Sequence, residues 1–345
     1  MEKRIIGGEY MISSSISTIA IKEVNHYYYA SGRTALAVII DSIRKSLGGA
    51  EHPRICIPDY VCGSVVDCLV KACVELSFYR IDKSLLPSQD FWELINQSDA
   101  VLLINYFGYI DINSLTYRIR NNNRNIRIIV DDVMNYYGFA QYEEYDYSFT
   151  SFRKWFPVPD GAEIKCTLND AEIPRIGENN MFYRYKLAGN ILKNYRDYIG
   201  DDICLELIKK GEELLDSEYI ASCSNFTKCF MEIEDKREAA KRRKRNAEVL
   251  HEGLDRLGIK HIYRCDAIPL FIPIFIKNRD DIRKAFFRNS VFCPVHWPYD
   301  WQNKFFDLKI NPLYYEELSL VCDQRYGEEE MAFQLEILNC ELRNS

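Results

Sequence analysis

Short apolar runs alternate with amphipathic stretches through the first two-thirds of the chain. Residues 100–105 and 126–130 are apolar without alternation, a pattern typical of strands covered on both faces. Residues 34–47 carry apolar side chains at helical spacing, and residues 113–121 predict a helix between the two apolar strands. The pattern in this part of the chain also predicts strands at 54–57 and 74–79 and a helix at 61–71. This rhythm predicts an α/β fold with a mostly parallel sheet flanked by helices.

The pattern changes from about residue 234. A long polar helix is predicted over 235–257, and Gly258 is suited to the left-handed turn that ends many helices. The elements predicted after it are a strand at 268–276 and helices at 280–288 and 327–342. We therefore expect a large domain over 1–234 and a smaller α+β domain over 235–345 that includes the linker helix. The N-terminal segment can pack on the small domain.

Composition narrows the classes of protein to consider. The 345 residues include 44 basic and 51 acidic side chains, and the resulting charge of -7 argues against a general nucleic-acid binder. No apolar stretch is long enough to span a bilayer, and the N-terminus lacks the apolar core of a signal peptide. The twelve cysteines show no CxxC pair and no histidine at zinc-like spacing. We expect a cytoplasmic protein with reduced thiols, no membrane partner and no metal site.

Polar residues follow several of the predicted strands, where an open parallel sheet binds its ligands. Singly, each of these stretches is more often structural than functional. Together they match the needs of pyridoxal phosphate, whose aldehyde requires an amine and whose ring nitrogen requires a carboxylate. Residues 31–34 offer a helix N-terminus for the phosphate, Asp132 a carboxylate, Ser151 a hydroxyl and Lys154 an amine.

The order of these stretches resembles that of a known family. The matching segments are IGGEY at 6–10, SGRTAL at 31–36, IPDYVC at 57–62, NYFG at 105–108, IIVDDVMNYYG at 128–138, SFRKWFPVPDGA at 151–162, PVHWP at 294–298 and DQRY at 323–326. They make the chain similar to fold-type-I pyridoxal-phosphate (PLP) enzymes, and most similar to the DegT/DnrJ/EryC1/StrS aminotransferases. Many members of that family act on nucleotide-linked keto sugars.

The resemblance implies roles for the central residues. Lys154 takes the position of the lysine that holds the cofactor as a Schiff base, and Ser151 that of a phosphate-binding serine. Asp132 takes the position that faces the pyridine nitrogen, because the family has an acid just before it and a glycine six residues after it. Gly32 and Arg33 fall in the phosphate loop. Arg33 departs from the family, which usually has threonine there, and could clamp phosphate or substrate.

Further site residues follow from the same resemblance. Asn135 stands where the family usually has histidine or glutamine, and it counts as a cofactor contact. Tyr60 lies in the segment that usually stacks an aromatic ring on the cofactor, although strict spacing points to Cys62. His296 and Arg325 are implied substrate contacts near the cleft between the domains.

The resemblance therefore implies an aminotransferase that acts as a homodimer. It would move an amino group from an amino acid donor such as glutamate to a keto acceptor, which could be a nucleotide-linked keto sugar. Two alternatives stay open. One is a PLP-fold binding or regulatory protein without turnover, and the other is a different PLP reaction such as dehydration or decarboxylation.

Overall fold

The fold is built around one large sheet. The computed structural model describes residues 6–8, 27–176, 181–217, 220–299 and 309–343. The strands of the large sheet are β2 (Tyr27–Tyr29), β3 (Arg54–Pro58), β4 (Glu75–Tyr79), β5 (Ala100–Ile104), β6 (Arg127–Asp131), β7 (Tyr147–Ser151) and β8 (Ala162–Cys166). Their order across the sheet is β2-β8-β7-β6-β5-β3-β4. Neighbours from β4 to β7 pair in parallel, whereas β8 runs antiparallel to both β7 and β2. The expected mostly parallel sheet is confirmed.

Helices cover this sheet because its central strands are apolar on both faces. All five residues of β5 are buried, as are four of the five in β6. The helices of this region are α1 (Gly32–Ser46), α2 (Gly63–Lys71), α3 (Phe91–Asn96) and α4 (Ile112–Asn122). Helix α1 begins where the Ser31 hydroxyl accepts a hydrogen bond from the Thr34 N–H, and it buries an apolar face that includes Ile39 and Ile43. That cap fixes the N-terminus of α1 at one edge of the sheet.

A helical segment that the sequence pattern did not predict follows β8. It comprises α5 (Phe182–Leu192), α6 (Arg196–Ile199), α7 (Asp201–Ser217) and α8 (Asn225–Ile233). Helices α5 and α7 pack against each other, and Gly189 permits this because a Cβ atom there would lie 2.8 Å from the Cys204 carbonyl oxygen. We refer to α5 and α7 as the helical hairpin. It carries Lys186 and Glu212 towards the main sheet.

The C-terminal part forms a second, smaller layer. Its elements are α9 (Lys236–Arg256), β9 (Phe271–Phe275), α10 (Arg279–Arg288), β10 (Val291–Phe292), α11 (Leu313–Glu316), β11 (Glu317–Val321) and α12 (Glu328–Arg343). Strands β9 and β11 pair antiparallel, and the N-terminal strand β1 (Ile6–Gly7) pairs in parallel with β10. Among the described residues, no helix combines the length and apolar character that crossing a bilayer would require.

Candidate active site

Four of the sequence-predicted site residues gather where β7 ends and α1 begins, namely Gly32, Arg33, Ser151 and Lys154. Ser151 is the last residue of β7, and the short turn Phe152–Lys154 follows it at once. Two cavities open beside this turn. The smaller has a volume of about 280 Å³ and is lined by Gly32, Arg33, Asp131, Ser151 and Lys154 together with other residues. The larger has a volume of about 520 Å³ and extends towards the C-terminal layer.

Lys154 lines both cavities. Its side chain is exposed and, within the described ranges, forms no hydrogen bond or ion pair. Its charge nevertheless acts on the Asp131 carboxyl, whose pKa it lowers. An amine that is not held in a salt bridge is available to attack a carbonyl group. Lys154 is therefore the residue of this site best placed to act as a nucleophile.

The two neighbouring aspartates face different surroundings. Asp131 lines the smaller cavity and accepts a hydrogen bond of 2.9 Å from the Val133 N–H. Burial raises the pKa of Asp131 to about 7, with a further rise from the charge of Asp132. The side chain direction alternates at each residue of an extended strand, so adjacent residues face opposite sides.

Asp132 is fully buried and does not line either cavity. Its Oδ1 atom accepts hydrogen bonds from Tyr142 (2.7 Å) and from the side-chain amides of Asn105 (3.2 Å) and Asn135 (3.1 Å). Its Oδ2 atom accepts from Ser148 (2.8 Å) and from a backbone N–H of the following turn (3.1 Å). Five donors thus occupy this carboxylate. The structure places Asp131 at the smaller cavity with Lys154. The expected pyridine partner, Asp132, lies in a separate buried hydrogen-bond network outside both cavities.

Asn135 and Tyr60 are also placed away from both cavities. The Asn135 amide donates to Asp132 and, at 3.0 Å, to the Tyr142 hydroxyl oxygen, so Asn135 belongs to the buried hydrogen-bond network around Asp132. Tyr60 is fully buried, stacks on Tyr106 with 5.7 Å between ring centroids and donates its hydroxyl to the His296 carbonyl oxygen. Neither side chain lines either cavity.

Cys62, which strict family spacing indicated, does line the smaller cavity. It is the residue immediately before α2, in the position that caps the helix. A thiol there offers a small apolar contact to the cavity.

A cluster of charged residues surrounds Glu212 of the helical hairpin. Its carboxylate contacts Arg33 at 3.2 Å, Arg153 at 2.5 Å and Lys186 at 2.5 Å. Burial alone would raise the pKa of Glu212, but the charges of Arg153 and Lys186 hold it well below its ordinary value. Three cations from three different elements therefore converge beside the N-terminus of α1. Sequence reasoning identified Arg33 but missed Glu212, Arg153 and Lys186.

His296 lies on the border between the two cavities and lines both. Its Nδ1 atom is 2.8 Å from the Ser319 hydroxyl, and that hydroxyl donates to a Glu317 carboxylate oxygen at 2.5 Å. Because the Ser319 hydrogen is committed to Glu317, the Ser319 oxygen accepts from His296. Both partners are fully buried. His296 Nε2 takes no part in these two hydrogen bonds.

Arg325 lines the larger cavity beside Asp323. Its guanidinium donates to both carboxylate oxygens of Asp323, at 2.9 and 2.7 Å, and to the Gly8 carbonyl oxygen at 3.2 Å. Arg243 lines the same cavity from α9, where it lies 4.7 Å from the Trp155 ring centroid. Cations outnumber carboxylates in this cavity, so it favours an anionic ligand.

Comparison with known proteins identifies the architecture. No protein-family model matches the chain, and no curated protein matches its sequence. The sugar aminotransferase Spr1654 from Streptococcus pneumoniae, in its pyridoxamine-phosphate form, is similar at a TM-score of 0.66 and 12% identity, over 93% of this chain and 88% of the other. DesI gives 0.61 at 13% identity over 91% and 80%, and S. venezuelae DesV gives 0.59 at 14% over 91% and 84%. The chain therefore has the fold of these fold-type-I aminotransferases.

Proposed function

We propose that this chain is a PLP-dependent aminotransferase, which moves an amino group from an amino acid donor such as glutamate to a keto acceptor. The observation that carries the proposal is the position of Lys154. Its exposed amine stands between two cavities at the carboxyl ends of the parallel strands, opposite the Asp131 carboxyl. This is the part of an open α/β sheet where ligands bind.

The residues of the smaller cavity fit the cofactor. Lys154 would hold its aldehyde, and the N-terminus of α1 with Arg33 and Arg153 would hold its phosphate. Asp131 would face the ring nitrogen, in place of Asp132, the residue that the resemblance implies. When bound, the cofactor supplies a ring that accepts electrons from the bonds of the substrate's α-carbon.

The chain's own groups then handle the protons. We assign to Lys154 the general base and acid role at the substrate α-carbon, because its amine lines both cavities and is held in no ion pair within the described residues. Asp131 would hold the proton on the ring nitrogen of a bound cofactor. Burial raises the pKa of its carboxyl to about 7, and a cation opposite it favours the charged form, as Lys154 already does. His296 and Arg325 would contact the substrate from the larger cavity.

The charges of the larger cavity support an anionic acceptor. Arg153, Lys186, Arg243 and Arg325 line it, against the carboxylates Glu212 and Asp323. A nucleotide-linked keto sugar carries a diphosphate that suits such a surface. DesI was crystallised in the presence of its TDP-sugar product, which supports this acceptor class for a chain of the same fold.

One observation favours the alternative without turnover. The Glu212 carboxylate already neutralises part of the cationic cluster where the phosphate would bind. A chain that keeps the pocket but binds the cofactor more weakly would serve as a binding or regulatory protein.

We also propose that the active species is a cytoplasmic homodimer. The dimer is supported by the apolar surface of the helical hairpin, of the segment between its two helices and of the residue before α5. Large apolar side chains exposed there are Met181, Ile191, Tyr195, Tyr198, Ile203 and Leu205. The cytoplasmic location is supported by the twelve cysteines, all of which are described and free.

A half-reaction assay tests the proposed activity. The purified protein, loaded with PLP, is mixed with single amino acids and followed by absorbance. We expect at least one donor to convert the cofactor to its amine form, with release of the matching keto acid. If the protein binds PLP but no donor converts it, the proposed aminotransferase activity is wrong.

A further inference from the structure

Two histidines and one aspartate converge at the end of α9, far in sequence from Lys154. His251 and Asp255 lie one turn apart on the helix, and His261 follows in a segment that bridges to Ile274 of β9. A nitrogen of His251 lies 2.7 Å from His261 Nε2. The Asp255 carboxylate lies 3.6 Å from His251 Nε2 and 4.0 Å from His261 Nε2. We call these three residues the His–Asp–His cluster.

The tautomer of the neutral His261 ring is fixed by a backbone neighbour. Its Nδ1 atom lies 2.9 Å from the Ile259 carbonyl oxygen. A carbonyl can only accept, so Nδ1 carries the proton and Nε2 directs its lone pair at the cluster. Holding the second ring nitrogen of a histidine on a backbone carbonyl is the usual support for a metal ligand. The His261 side chain is only 6% exposed, which restricts other orientations of the ring.

Neutral imidazoles leave one contact of the cluster unsatisfied. If His261 Nε2 accepts from His251 Nδ1, then Nε2 of a neutral His251 turns a lone pair towards the Asp255 carboxylate, and two acceptors face each other. A cation bound between these groups removes this conflict. The ring of His251 is held in place by Tyr263, which stacks on it at 4.1 Å between centroids with an interplanar angle of 18°.

We propose that the His–Asp–His cluster is a binding site for a divalent transition-metal ion of the Zn²⁺ class. Two imidazoles and one carboxylate are ligands that zinc accepts, with a water molecule as the fourth. Ligands of a tetrahedral zinc ion lie about 3.3 Å apart, for metal–ligand distances of roughly 2.0–2.1 Å. One ligand atom from each of the three residues can be chosen so that all three lie within 4.8 Å of one another, and side-chain rotation can bring them to this spacing.

The position of the cluster gives the metal a structural effect. It would tie the last turns of α9 to the segment that pairs with β9, the strand that begins at Phe271 on the larger cavity. Binding to the folded state alone raises stability by mass action. The site is independent of the proposed aminotransferase activity and can be tested on protein with or without PLP.

Cobalt(II) is the probe, because its visible spectrum distinguishes nitrogen and oxygen ligands from thiolates. Tag-free protein is titrated with Co²⁺, and its thermal unfolding is measured with Zn²⁺ and with a chelator. We expect one equivalent of Co²⁺ to bind without a thiolate charge-transfer band and Zn²⁺ to raise the unfolding temperature. His251→Gln, Asp255→Asn and His261→Gln should each weaken Co²⁺ binding by roughly tenfold or more and reduce the Zn²⁺ shift.

His52→Gln is the matched control, since His52 is an exposed histidine near Cys73, on a different part of the chain. It should bind Co²⁺ as the parent protein does. Three results would overturn the proposal. They are failure to bind Co²⁺, a spectrum dominated by thiolate ligands, and unchanged affinity in the three cluster variants.

Discussion

Arg33 and Glu212 form an ion pair of 3.2 Å at the N-terminus of α1, although 179 residues separate them in the sequence. The contact joins the proposed phosphate loop to the helical hairpin. Glu212 also binds Arg153 and Lys186. A carboxylate of the protein therefore lies among the cations that would hold the cofactor phosphate. The negative charge of this carboxylate would repel the negative charge of the phosphate.

Glu212→Gln should increase the affinity for PLP. The substitution keeps the shape of the side chain but removes the negative charge that competes with the phosphate for Arg33, Arg153 and Lys186. We expect a several-fold lower dissociation constant in a titration followed by cofactor absorbance. Glu213→Gln is the control, because the neighbouring Glu213 pairs with Lys209 at 3.8 Å and is exposed.

Arg33→Ala provides the opposite test of the same cluster. Loss of a charge-assisted hydrogen bond to phosphate should weaken PLP binding by ~1.5–3 kcal/mol. If Glu212→Gln weakens PLP binding as strongly as Arg33→Ala does, Glu212 serves to position the cations and does not compete with the phosphate.

Asp131→Asn and Asp132→Asn should separate function from stability. Asp131 lines the cavity with Lys154, so Asp131→Asn should remove most of the half-transamination rate while the protein stays folded. Asp132 accepts five hydrogen bonds in a buried network, and an amide can accept only some of them. Asp132→Asn should therefore lower the free energy of unfolding by about 1–3 kcal/mol. Denaturant unfolding and the half-reaction rate are measured on both variants. A folded but inactive Asp132→Asn variant beside an active Asp131→Asn variant would show that Asp132 faces the ring nitrogen, as the resemblance implies.

The stability of the cofactor-free protein should fall as the pH rises towards neutrality. The pKa of Asp131 is raised from 3.8 to about 7, chiefly by burial. Its protonated form therefore favours the folded state. This contribution is complete below about pH 4, the ordinary pKa of an aspartate, and is lost as the pH rises through about 7. Asp131→Asn should flatten this decline, as measured by urea unfolding at several pH values. An equally steep decline in the variant would mean that Asp131 is not the group that titrates.

Ser319→Ala should lower kcat through its effect on His296. The Ser319 oxygen accepts from His296 Nδ1 and so orients the ring that faces both cavities. We expect a decrease of roughly tenfold or more in kcat, because a displacement of about 1 Å in a group that positions the substrate can cost up to about 10²-fold. The test is a double-mutant cycle, because Ser319→Ala should have little further effect in a His296→Gln background. Additive losses in the two variants would show that Ser319 does not act through His296.

Much of the fold could be predicted from the hydrophobic pattern. The helix predicted at 113–121 is Ile112–Asn122, and the one predicted at 235–257 is Lys236–Arg256. These elements succeed because their periodicity is strong and their ends carry caps, such as the Asp235 side chain that accepts from the first backbone N–H groups of α9. The helical hairpin was not predicted. Helix α5 buries Lys186 and Asn190, so its buried face does not stand out as apolar in the sequence.

The site was predictable in outline only. Lys154, Ser151 and Gly32 meet at one cavity because parallel strands end at the same edge. The resemblance selects Asp132, whereas we propose Asp131 because Asp131 lines the cavity. A shift of one residue along a strand moves a side chain to the opposite face, and spacing does not report that direction. Glu212 could not be found, since it lies in a polar helix and acquires its role only through distant contacts.

Borohydride reduction tests the central claim most directly. The protein is incubated with PLP, reduced with borohydride and digested, and the modified lysine is located by mass spectrometry. The account predicts a phosphopyridoxyl adduct on Lys154 and its loss in Lys154→Ala, because this amine is exposed to both cavities and unpaired within the described part of the chain. An adduct mainly on Lys165 or Lys186, or one that persists in Lys154→Ala, would contradict it.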